Sequence, residues 1–295
     1  MKLSVIIASC VEEPYLVNCL ASLAEQTSRF PTETIIATRA SSRLVHSVQE
    51  RFPDVRIIRR PAGESVPDLR RAALLEARGD YVAIIEEHCI ADPNWIQTIF
   101  DCIDRGFEVV GGPVAPSRFG RLTDWVVYYT EYNSYMPPVE AGETTNICGA
   151  NCLYRRDLLI ANLPESGSGY WEADLNNSLL RQGKKFHMEP KLIVHHTGPF
   201  GLTYYLEQRF LFSRAFAGFR RKHLPVWKQA AYLMLSPLLV PLLVARIGSR
   251  VWAKNVEKLR FLQALPMFVP VGVVYVFGEV YGYLTGPGDS LSRIE

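Results

Sequence analysis

The segment GDYVAIIEEHC, residues 79–89, decides the predicted fold of this chain. A Gly-Asp turn precedes five uncharged residues, 81–85, which are rich in β-branched side chains and are followed at once by Glu-Glu-His. Such a run, bounded by turn residues, predicts a strand that is buried on both faces. Open α/β sheets bind their ligands at the carboxyl ends of parallel strands, so Glu86, Glu87 and His88 are predicted to lie at a binding edge.

Two of these polar residues are spaced to share one ligand. Glu86 and His88 are two positions apart, so their side chains point the same way on an extended chain. Carboxylates and imidazoles are both ligands of divalent cations, which predicts a metal site at this strand end. The alternative is a solvated strand end without a function, and the rest of the chain has to decide between the two.

Length and charge distribution limit the class of protein. A chain of 295 residues can bury a large core, and one domain with an appendage fits this length. Residues 1–202 hold 20 Lys and Arg against 25 Asp and Glu, whereas residues 203–295 hold 12 against 5. A basic and apolar C-terminal part favours contact with an anionic membrane surface. The front part lacks the basic and aromatic interleaving of a nucleic-acid groove, so no nucleic-acid partner is predicted.

The cysteines and the N-terminal residues argue against further classes. None of the six cysteines belongs to a CxxC pair, so neither a zinc knuckle nor a disulfide framework is predicted, and we expect reduced thiols in a reducing compartment. The apolar run at the N-terminus is too short for a signal peptide, and Glu12, Glu13 and Pro14 follow it closely.

Strand and helix patterns alternate through roughly the first hundred residues. Predicted strands at 3–8, 34–38, 55–58 and 81–85 are followed by predicted helices at 12–26, 43–52, 66–78 and 93–105. This alternation predicts an α/β fold with a Rossmann-like, mostly parallel central sheet flanked by helices. After residue 108 we expect a glycine-broken strand at 109–114, a loop or irregular helix at 128–138, strands at 146–154 and 191–195, and a helix at 171–182.

The C-terminal third is predicted to be helical and apolar. Residues 204–222 mix aromatic and basic side chains, as in a helix at a membrane interface. Residues 229–245 and 261–278 carry no charge, and each is marginal against the ~20 residues that cross a bilayer. Basic side chains flank the first segment on both sides, so an interfacial or re-entrant hairpin and two true spans both stay open. The predicted divisions are a globular domain at 1–202, an amphipathic interfacial helix at 203–228 and a hydrophobic helical hairpin at 229–295.

Six segments in order resemble the family 2 glycosyltransferases with the GT-A fold, over roughly residues 1–200. They are SVIIAS at 4–9, RRAA at 70–73 with ARGDY at 77–81, EEH at 86–88, GAN at 149–151 with YRR at 154–156, WEADL at 171–175, and the histidine-ended strand at 190–196. The resemblance implies a GT-A fold and transfer of a sugar from a nucleotide-sugar donor. Two departures affect the site: Thr38 and Arg39 replace the family's acidic residues after the second strand, and His88 stands where Asp is usual.

The resemblance also implies the catalytic and metal-binding residues. A divalent cation, Mn²⁺ or Mg²⁺, is expected at Glu86, His88 and His196. His195 is the alternative to His196, because adjacent residues of a strand face opposite sides. The expected general base is Glu172, with Asp174 as its alternative, and a single displacement with one base would invert the anomeric centre.

Binding residues for the two substrates follow from the same resemblance. The donor is expected to contact Ala8, Ser9, Cys10, Thr38, Arg39, Arg70, Glu86 and Glu87. The acceptor is expected to contact Asn151, Trp171, Gln208 and Arg209. For Arg209 the alternative is a helix that only anchors on lipid headgroups.

We therefore expect a metal-dependent inverting glycosyltransferase at the cell membrane, with its catalytic domain on the cytoplasmic side. Its predicted partners are a nucleotide sugar, the membrane surface, and an acceptor close to the bilayer, either a lipid or a lipid-linked saccharide. A second hypothesis is a non-catalytic sugar-nucleotide-binding scaffold, suggested by the altered Thr38, Arg39 and His88 positions. A third is a nucleotidyltransferase, which needs a glycine-rich basic loop after the first strand, and residues 9–13 do not supply one.

Overall fold

The structure is a computed structural model that describes residues 2–11, 14–163, 172–198, 200–222 and 224–294. The chain forms two compact units, which we call the sheet unit (residues 1–117 and 135–197) and the helical unit (residues 118–134 and 198–295). The segment 118–134 thus groups with the C-terminal helices, whereas the sequence analysis included it in a domain at 1–202. Each unit is described in turn.

Strands and helices alternate in the sheet unit. Its strands are β1 (Leu3–Ser9), β2 (Thr32–Thr38), β3 (Arg56–Arg59), β4 (Tyr81–Ile85), β5 (Cys89–Ala91), β6 (Val109–Gly111), β7 (Val114–Pro116), β8 (Gly142–Thr144), β9 (Asn151–Arg155), β10 (Phe186–Met188) and β11 (Val194–His196). Its helices are α1 (Tyr15–Thr27), α2 (Ser42–Arg51), α3 (Val66–Glu76), α4 (Trp95–Asp104), α6 (Arg156–Ala161) and α7 (Glu172–Arg181). The predicted α/β fold with a central sheet flanked by helices is confirmed.

The central sheet has the strand order β3-β2-β1-β4-β9-β6-β10-β8. Strands β3, β2, β1 and β4 are parallel, whereas β9 runs antiparallel to both of its neighbours. A second, small sheet has the order β5-β11-β7. The chain runs outward from β1 to β3 and then returns to the other side of β1 as β4. The strand order therefore reverses between β1 and β4, and such a switch point is where open α/β sheets bind ligands at their carboxyl ends.

The hydrophobic pattern of β1 and β4 explains why they are central. Val5, Ile7 and Ile84 are fully buried, as the uncharged runs predict for strands covered on both faces. Two predicted strand boundaries shift in the structure. The strand predicted at 146–154 begins at Asn151, and the one predicted at 191–195 covers Val194–His196.

The helical unit is built from α5 (Leu122–Tyr132), α8 (Leu202–Arg221), α9 (Val226–Leu235), α10 (Leu239–Lys254), α11 (Lys258–Thr285) and the short α12 (Ser290–Arg293), with one 3₁₀ turn at Ser236–Leu238. The expectation of a loop or irregular helix at 128–138 was wrong for its first half, because α5 is a regular helix. Its aromatic residues Trp125, Tyr128, Tyr129 and Tyr132 are all buried, so no polar face reveals the helical period in the sequence.

Two stretches of the helical unit, Val226–Lys254 and Lys258–Thr285, are long and apolar enough to cross a membrane by length and composition. Few residues of their most apolar windows are buried, 11% in the first stretch and 33% in the second. Exposed apolar helices of this kind allow membrane association.

Candidate active site

The loop after β1 is fixed by a buried carboxylate from the strand β4 end. Glu87 is 3% exposed, and its Oε1 accepts hydrogen bonds from the backbone N–H of Cys10 at 2.8 Å and of Val11 at 3.4 Å. Ser9, at the carboxyl end of β1, buries its hydroxyl without a hydrogen-bond partner among the described residues. A buried polar atom without a partner is costly, which marks this end of β1 as a place where a ligand would complete the hydrogen bonding.

A guanidinium lies between two carboxylates beside this loop. Helix α3 begins with a capping box formed by Ser65 and Asp68, and it presents Arg70, which is 5% exposed. Arg70 Nη2 donates to Glu86 Oε1 at 3.1 Å, and Arg70 Nη1 is ion-paired with the Glu172 carboxylate. We call Arg70, Glu86 and Glu172 the strand-end cluster.

A glycine permits the approach of Glu172 to this cluster. A Cβ placed on Gly149 would lie 3.0 Å from the carboxyl carbon of Glu172, closer than an ordinary contact allows. Gly149 precedes β9, so the carboxylate packs directly against the backbone at the end of the central sheet. Gly149 of the sequence motif GAN therefore leaves room for the side chain of Glu172.

Two imidazoles lie at the neighbouring strand ends. The rings of His88 and His196 are 6.4 Å apart between centroids, and the ring of Tyr15 lies 5.1 Å from that of His88. Burial lowers the pKa of both histidines, for His196 to about 3 with a smaller contribution from His88. Both are therefore neutral at pH 7, the state in which imidazole binds metals.

The adjacent histidine faces elsewhere. His195 Nε2 lies 3.8 Å from Asp92 Oδ2, and its side chain is 39% exposed, whereas His196 is 3% exposed. Of the two alternatives, the structure brings His196 and not His195 next to His88.

The donor set at these strand ends suits a divalent cation that is shared with a ligand. Within the described parts of the chain, no group of three or more His, Cys, Asp or Glu side chains is arranged to hold an ion. A cation that also binds nucleotide phosphates needs only one or two protein ligands, because phosphate oxygens and water complete its shell. Neutral imidazoles and the carboxylate of Glu86 are suitable ligands of this kind, so the residues present fit the expected cation.

The remaining donor residues of the sequence analysis gather at the same edge. The Arg39 backbone N–H donates to the Ser9 carbonyl at 3.3 Å, which holds the loop after β2 beside the end of β1. Thr38 Oγ1 accepts from the Ala40 N–H at 3.0 Å, and Arg39 Nη1 donates to the Glu64 carbonyl at 2.7 Å. Thr38 and Arg39 thus shape this loop, and Ala8 precedes Ser9 in β1.

The predicted acceptor and alternative-base residues are more scattered. The carboxamide of Asn151 is fully buried and is engaged by the Trp95 Nε1–H at 2.9 Å, the Pro113 carbonyl at 3.0 Å and the Leu192 carbonyl at 2.6 Å. Asp174 is exposed on α7. Trp171 lies outside the described residues.

Gln208 and Arg209 belong to the helical unit. Arg209 is 7% exposed on α8, its Nη1 lies 2.9 Å from Glu131 Oε1 of α5, and its guanidinium lies over the rings of Tyr205 and Phe212. Gln208 Nε2 donates to the Arg293 carbonyl at 3.3 Å. Both side chains are thus engaged by groups of their own unit.

Sequence reasoning missed Tyr15 and the Arg70–Glu172 ion pair. Tyr15 is the first residue of α1, directly after the loop at the β1 end, and an aromatic residue at that position is the only signal that could have indicated it. The ion pair joins residues 102 positions apart, which a single sequence does not reveal.

Comparison with known proteins agrees with this geometry. The sequence profile of Glycosyl transferase family 2 matches residues 4–163, more than half of the chain. Among curated proteins, the glucosyl-dolichyl phosphate glucuronosyltransferase of Haloferax volcanii is 26% identical over 178 residues, which cover 54% of each chain. The chain thus spans about half the length of this relative.

Solved structures show the same fold at low sequence identity. The mannosyltransferase PcManGT from Pyrobaculum calidifontis, in complex with GDP-Man and Mn²⁺, aligns with a TM-score of 0.55 at 15% identity, over 96% of this chain and 87% of its own. The crystal structure of S. aureus TarS 1–349 aligns with a TM-score of 0.52 at 16% identity, over 97% of this chain and 91% of its own. The sheet order, the polar residues at the β1 and β4 ends and the profile match lead to one conclusion: the chain belongs to glycosyltransferase family 2.

Proposed function

We propose that the chain is an inverting glycosyltransferase that moves a sugar from a nucleotide-sugar donor to a membrane-proximal acceptor, a lipid or a lipid-linked saccharide. The observation that carries this proposal is the strand-end cluster. Arg70, Glu86 and Glu172 meet at the switch point of the sheet, where open α/β sheets bind their ligands. A guanidinium there can neutralise the leaving group, and a carboxylate can take the proton of the attacking hydroxyl.

The carboxylate of Glu172 is assigned as the general base. It lies at the start of α7 and is partly accessible, with 20% of its side chain exposed. In a single displacement, the base takes the proton of the acceptor hydroxyl as the oxygen attacks the anomeric carbon and the bond to the nucleotide diphosphate breaks. Asp174 is the weaker candidate because it is exposed on the helix and the cluster is formed by Glu172 instead.

Arg70 is assigned to the leaving group. Its guanidinium is buried and already directed at the carboxylate of Glu86 at the β4 end. A fixed cation in a poorly solvated site stabilises the negative charge that develops on a departing diphosphate. The loop at Ala8, Ser9 and Cys10, held by Glu87, is assigned to the donor because its backbone lies at the same edge.

Glu86, His88 and His196 would hold a divalent cation in this site. When bound, such an ion supplies Lewis-acid neutralisation of the donor diphosphate. The structure of PcManGT, which is in complex with GDP-Man and Mn²⁺, supports this assignment by analogy of fold.

A lipid-linked acceptor is supported by two observations. The relative from Haloferax volcanii is named for a reaction on glucosyl-dolichyl phosphate, which is a lipid-linked sugar. The exposed apolar helices of the helical unit would keep the enzyme at a membrane that carries such a substrate.

A donor screen tests the proposal. The full chain is mixed with a panel of nucleotide sugars with and without Mn²⁺, and the melting temperature and the release of nucleoside diphosphate are followed. We expect one donor class to raise the melting temperature, more strongly with Mn²⁺, and to be turned over in the presence of a lipid phosphate acceptor. Binding without turnover across the panel would favour the non-catalytic scaffold, and binding of no donor at all would contradict both.

A further inference from the structure

Helix α11 has one buried and one exposed apolar face along its whole length. Exposed side chains recur at helical spacing: Leu259, Leu262, Val269, Val273, Phe277 and Tyr281. The opposite side is buried at Phe261, Ala264, Phe268 and Val271. Exposed fractions of 68% at Leu259 and 65% at Phe277 show that the open face extends from one end of the helix to the other. An apolar face of this length needs a cover in water.

Three helices that precede α11 in the chain pack on it, α5, α8 and α10, and the first two lie before Val226. Near its first residue, Tyr129 of α5 donates its hydroxyl to the Glu257 carbonyl at 2.9 Å and packs its ring on Phe261. Near its last residues, Arg221 of α8 donates to the Leu284 carbonyl at 3.0 Å. Both ends of α11 therefore touch helices of the chain before Val226.

Helices α5 and α8 carry charged side chains, which disfavours a position inside the bilayer. Helices α5 and α8 join through the ion pair between the half-buried Glu131 and the buried Arg209, and Arg220 of α8 pairs with Glu279 of α11 at 2.8 Å. Ionised side chains in the hydrocarbon core of a bilayer are costly. In the described part of the chain, no helix before Val226 qualifies as a candidate span. A helix α11 that crossed the bilayer would carry α5, α8 and their charges into it.

Cations and tryptophans mark both ends of the apolar helices. Arg260 is exposed and Lys254 and Lys258 are half-buried near the α10–α11 turn, and Lys222 and Lys228 are exposed near the start of α9. Trp252 and Trp227 are exposed beside these two groups. Cations with interfacial tryptophans complement an anionic headgroup layer, and a helix lying in the plane brings both groups to the same layer.

We propose that α9, α10 and α11 form a monotopic platform that lies in the plane of one anionic leaflet, with both ends of α11 on the same side of the bilayer. The exposed face of α11 is buried among the acyl chains, and the face covered by α5 and α8 points to water. This proposal concerns how the chain meets the membrane and does not depend on the reaction proposed above.

Single-cysteine labelling in membranes tests the topology. Ala253→Cys, near the α10–α11 turn, and Thr285→Cys, at the end of α11, are exposed positions, and Thr203→Cys on α8 is the reference. The full chain is labelled with a membrane-impermeant maleimide in right-side-out and inside-out vesicles, with the unchanged chain as background, since five of its six cysteines are buried and Cys10 is half-buried. We expect all three to react from the same side. Reaction of residue 253 only from the opposite side would overturn the proposal in favour of two spans.

A matched pair of charge substitutions tests the lipid-facing surface. Leu262→Glu introduces a charge on the exposed face of α11, and Leu75→Glu makes the same change on α3 at nearly equal exposure, 48% against 52%. We expect Leu262→Glu to lower partitioning onto phosphatidylcholine vesicles containing phosphatidylglycerol at least about tenfold, and Leu75→Glu to leave it unchanged. Equal partitioning of both variants would overturn the proposal. A change from dimer to monomer in Leu262→Glu, without a change in partitioning, would assign the face to a second copy of the chain instead.

Discussion

Each unit has a buried arginine that pairs with glutamate. The two arginines are similarly buried but meet different numbers of carboxylates. Arg70 of the sheet unit and Arg209 of the helical unit are 5% and 7% exposed, and both pair with glutamate. Arg209 meets one carboxylate, that of Glu131, and two aromatic faces. Arg70 meets two carboxylates, so the strand-end cluster has one negative charge in excess.

This difference separates a pair that stabilises the fold from a cluster that can do chemistry. A balanced pair enclosed by aromatic rings has no remaining need for a ligand, and removal of one partner leaves an uncompensated charge. An unbalanced cluster attracts a proton or a cation, which is what a general base or a metal site requires. The following predictions test whether this distinction holds.

The largest effect is expected at Glu172. Glu172→Gln keeps the shape of the side chain but removes the proton acceptor, so we expect kcat for sugar transfer to fall by about 10³-fold. The melting temperature should stay the same or rise, because the substitution balances the charge of the cluster. Asp174→Asn, the exposed control on the same helix, should retain activity within a few-fold. A Glu172→Gln variant as active as the unchanged chain would remove Glu172 from the base position.

The next largest effect is expected at Arg209, and it should appear in stability. Arg209→Met leaves the half-buried Glu131 without its ion pair, so we expect a loss of about 3 kcal/mol in the free energy of unfolding, the lower end of the range for buried pairs. The double variant Arg209→Met with Glu131→Gln should recover most of this loss, because no charge is then left unpaired. Both are measured by denaturant unfolding of the full chain in detergent micelles. Loss of transfer at unchanged stability would instead support the acceptor role that the sequence resemblance implies for Arg209.

The sequence predicted those parts of the fold that follow from local pattern. It predicted β1, β4, the helices between them and the polar residues at the β4 end. These elements follow from short patterns of neighbouring residues, namely uncharged runs bounded by turn residues. Helix α5 was not predicted because its aromatic side chains are all buried. The sequence therefore lacks the alternation of apolar and polar faces by which an amphipathic helix is recognised. Its grouping with the C-terminal helices depends on contacts such as Tyr129 with Phe261, which are distant in sequence.

The site was predictable in its residue types and less so in their contacts. Glu86 and Arg70 were named from position and resemblance, but the ion pairing of Arg70 with Glu172 requires the folded chain. The roles of the site residues stay predictions until they are tested. Asn151 shows the limit most clearly: its place in a motif implied acceptor binding, whereas its carboxamide is occupied by three groups of its own unit.

Asn151 provides a smaller test of the same distinction. Asn151→Ala leaves the Trp95 Nε1–H and two buried carbonyls without their partner, so we expect a loss of about 1–3 kcal/mol in the free energy of unfolding. The KM for the acceptor should be unchanged when the folded fraction is taken into account. Asn177→Ala, at an exposed position of α7, is the matched control and should be neutral. A raised acceptor KM with no loss of stability would instead support the acceptor-binding role that the sequence resemblance implies for Asn151.

The smallest effect concerns a half-buried ionisable group, His187 of β10, which stacks on Phe107 at 3.9 Å between ring centroids. Burial, helped by Arg105, lowers the pKa of His187 below its usual 6.5. Between the lowered pKa and 6.5 the unfolded chain binds more protons than the folded one, so stability is complete above pH 6.5 and falls as the pH is lowered.

We therefore expect a small loss of stability through His187 between pH 7 and pH 5. His187→Phe keeps an aromatic ring on Phe107 and removes the titration, so its unfolding free energy should depend less on pH in this range than that of the unchanged chain. His46→Phe, the same substitution at an exposed position of α2, is the control. An identical pH dependence in His187→Phe would show that the surroundings of His187 do not keep it neutral.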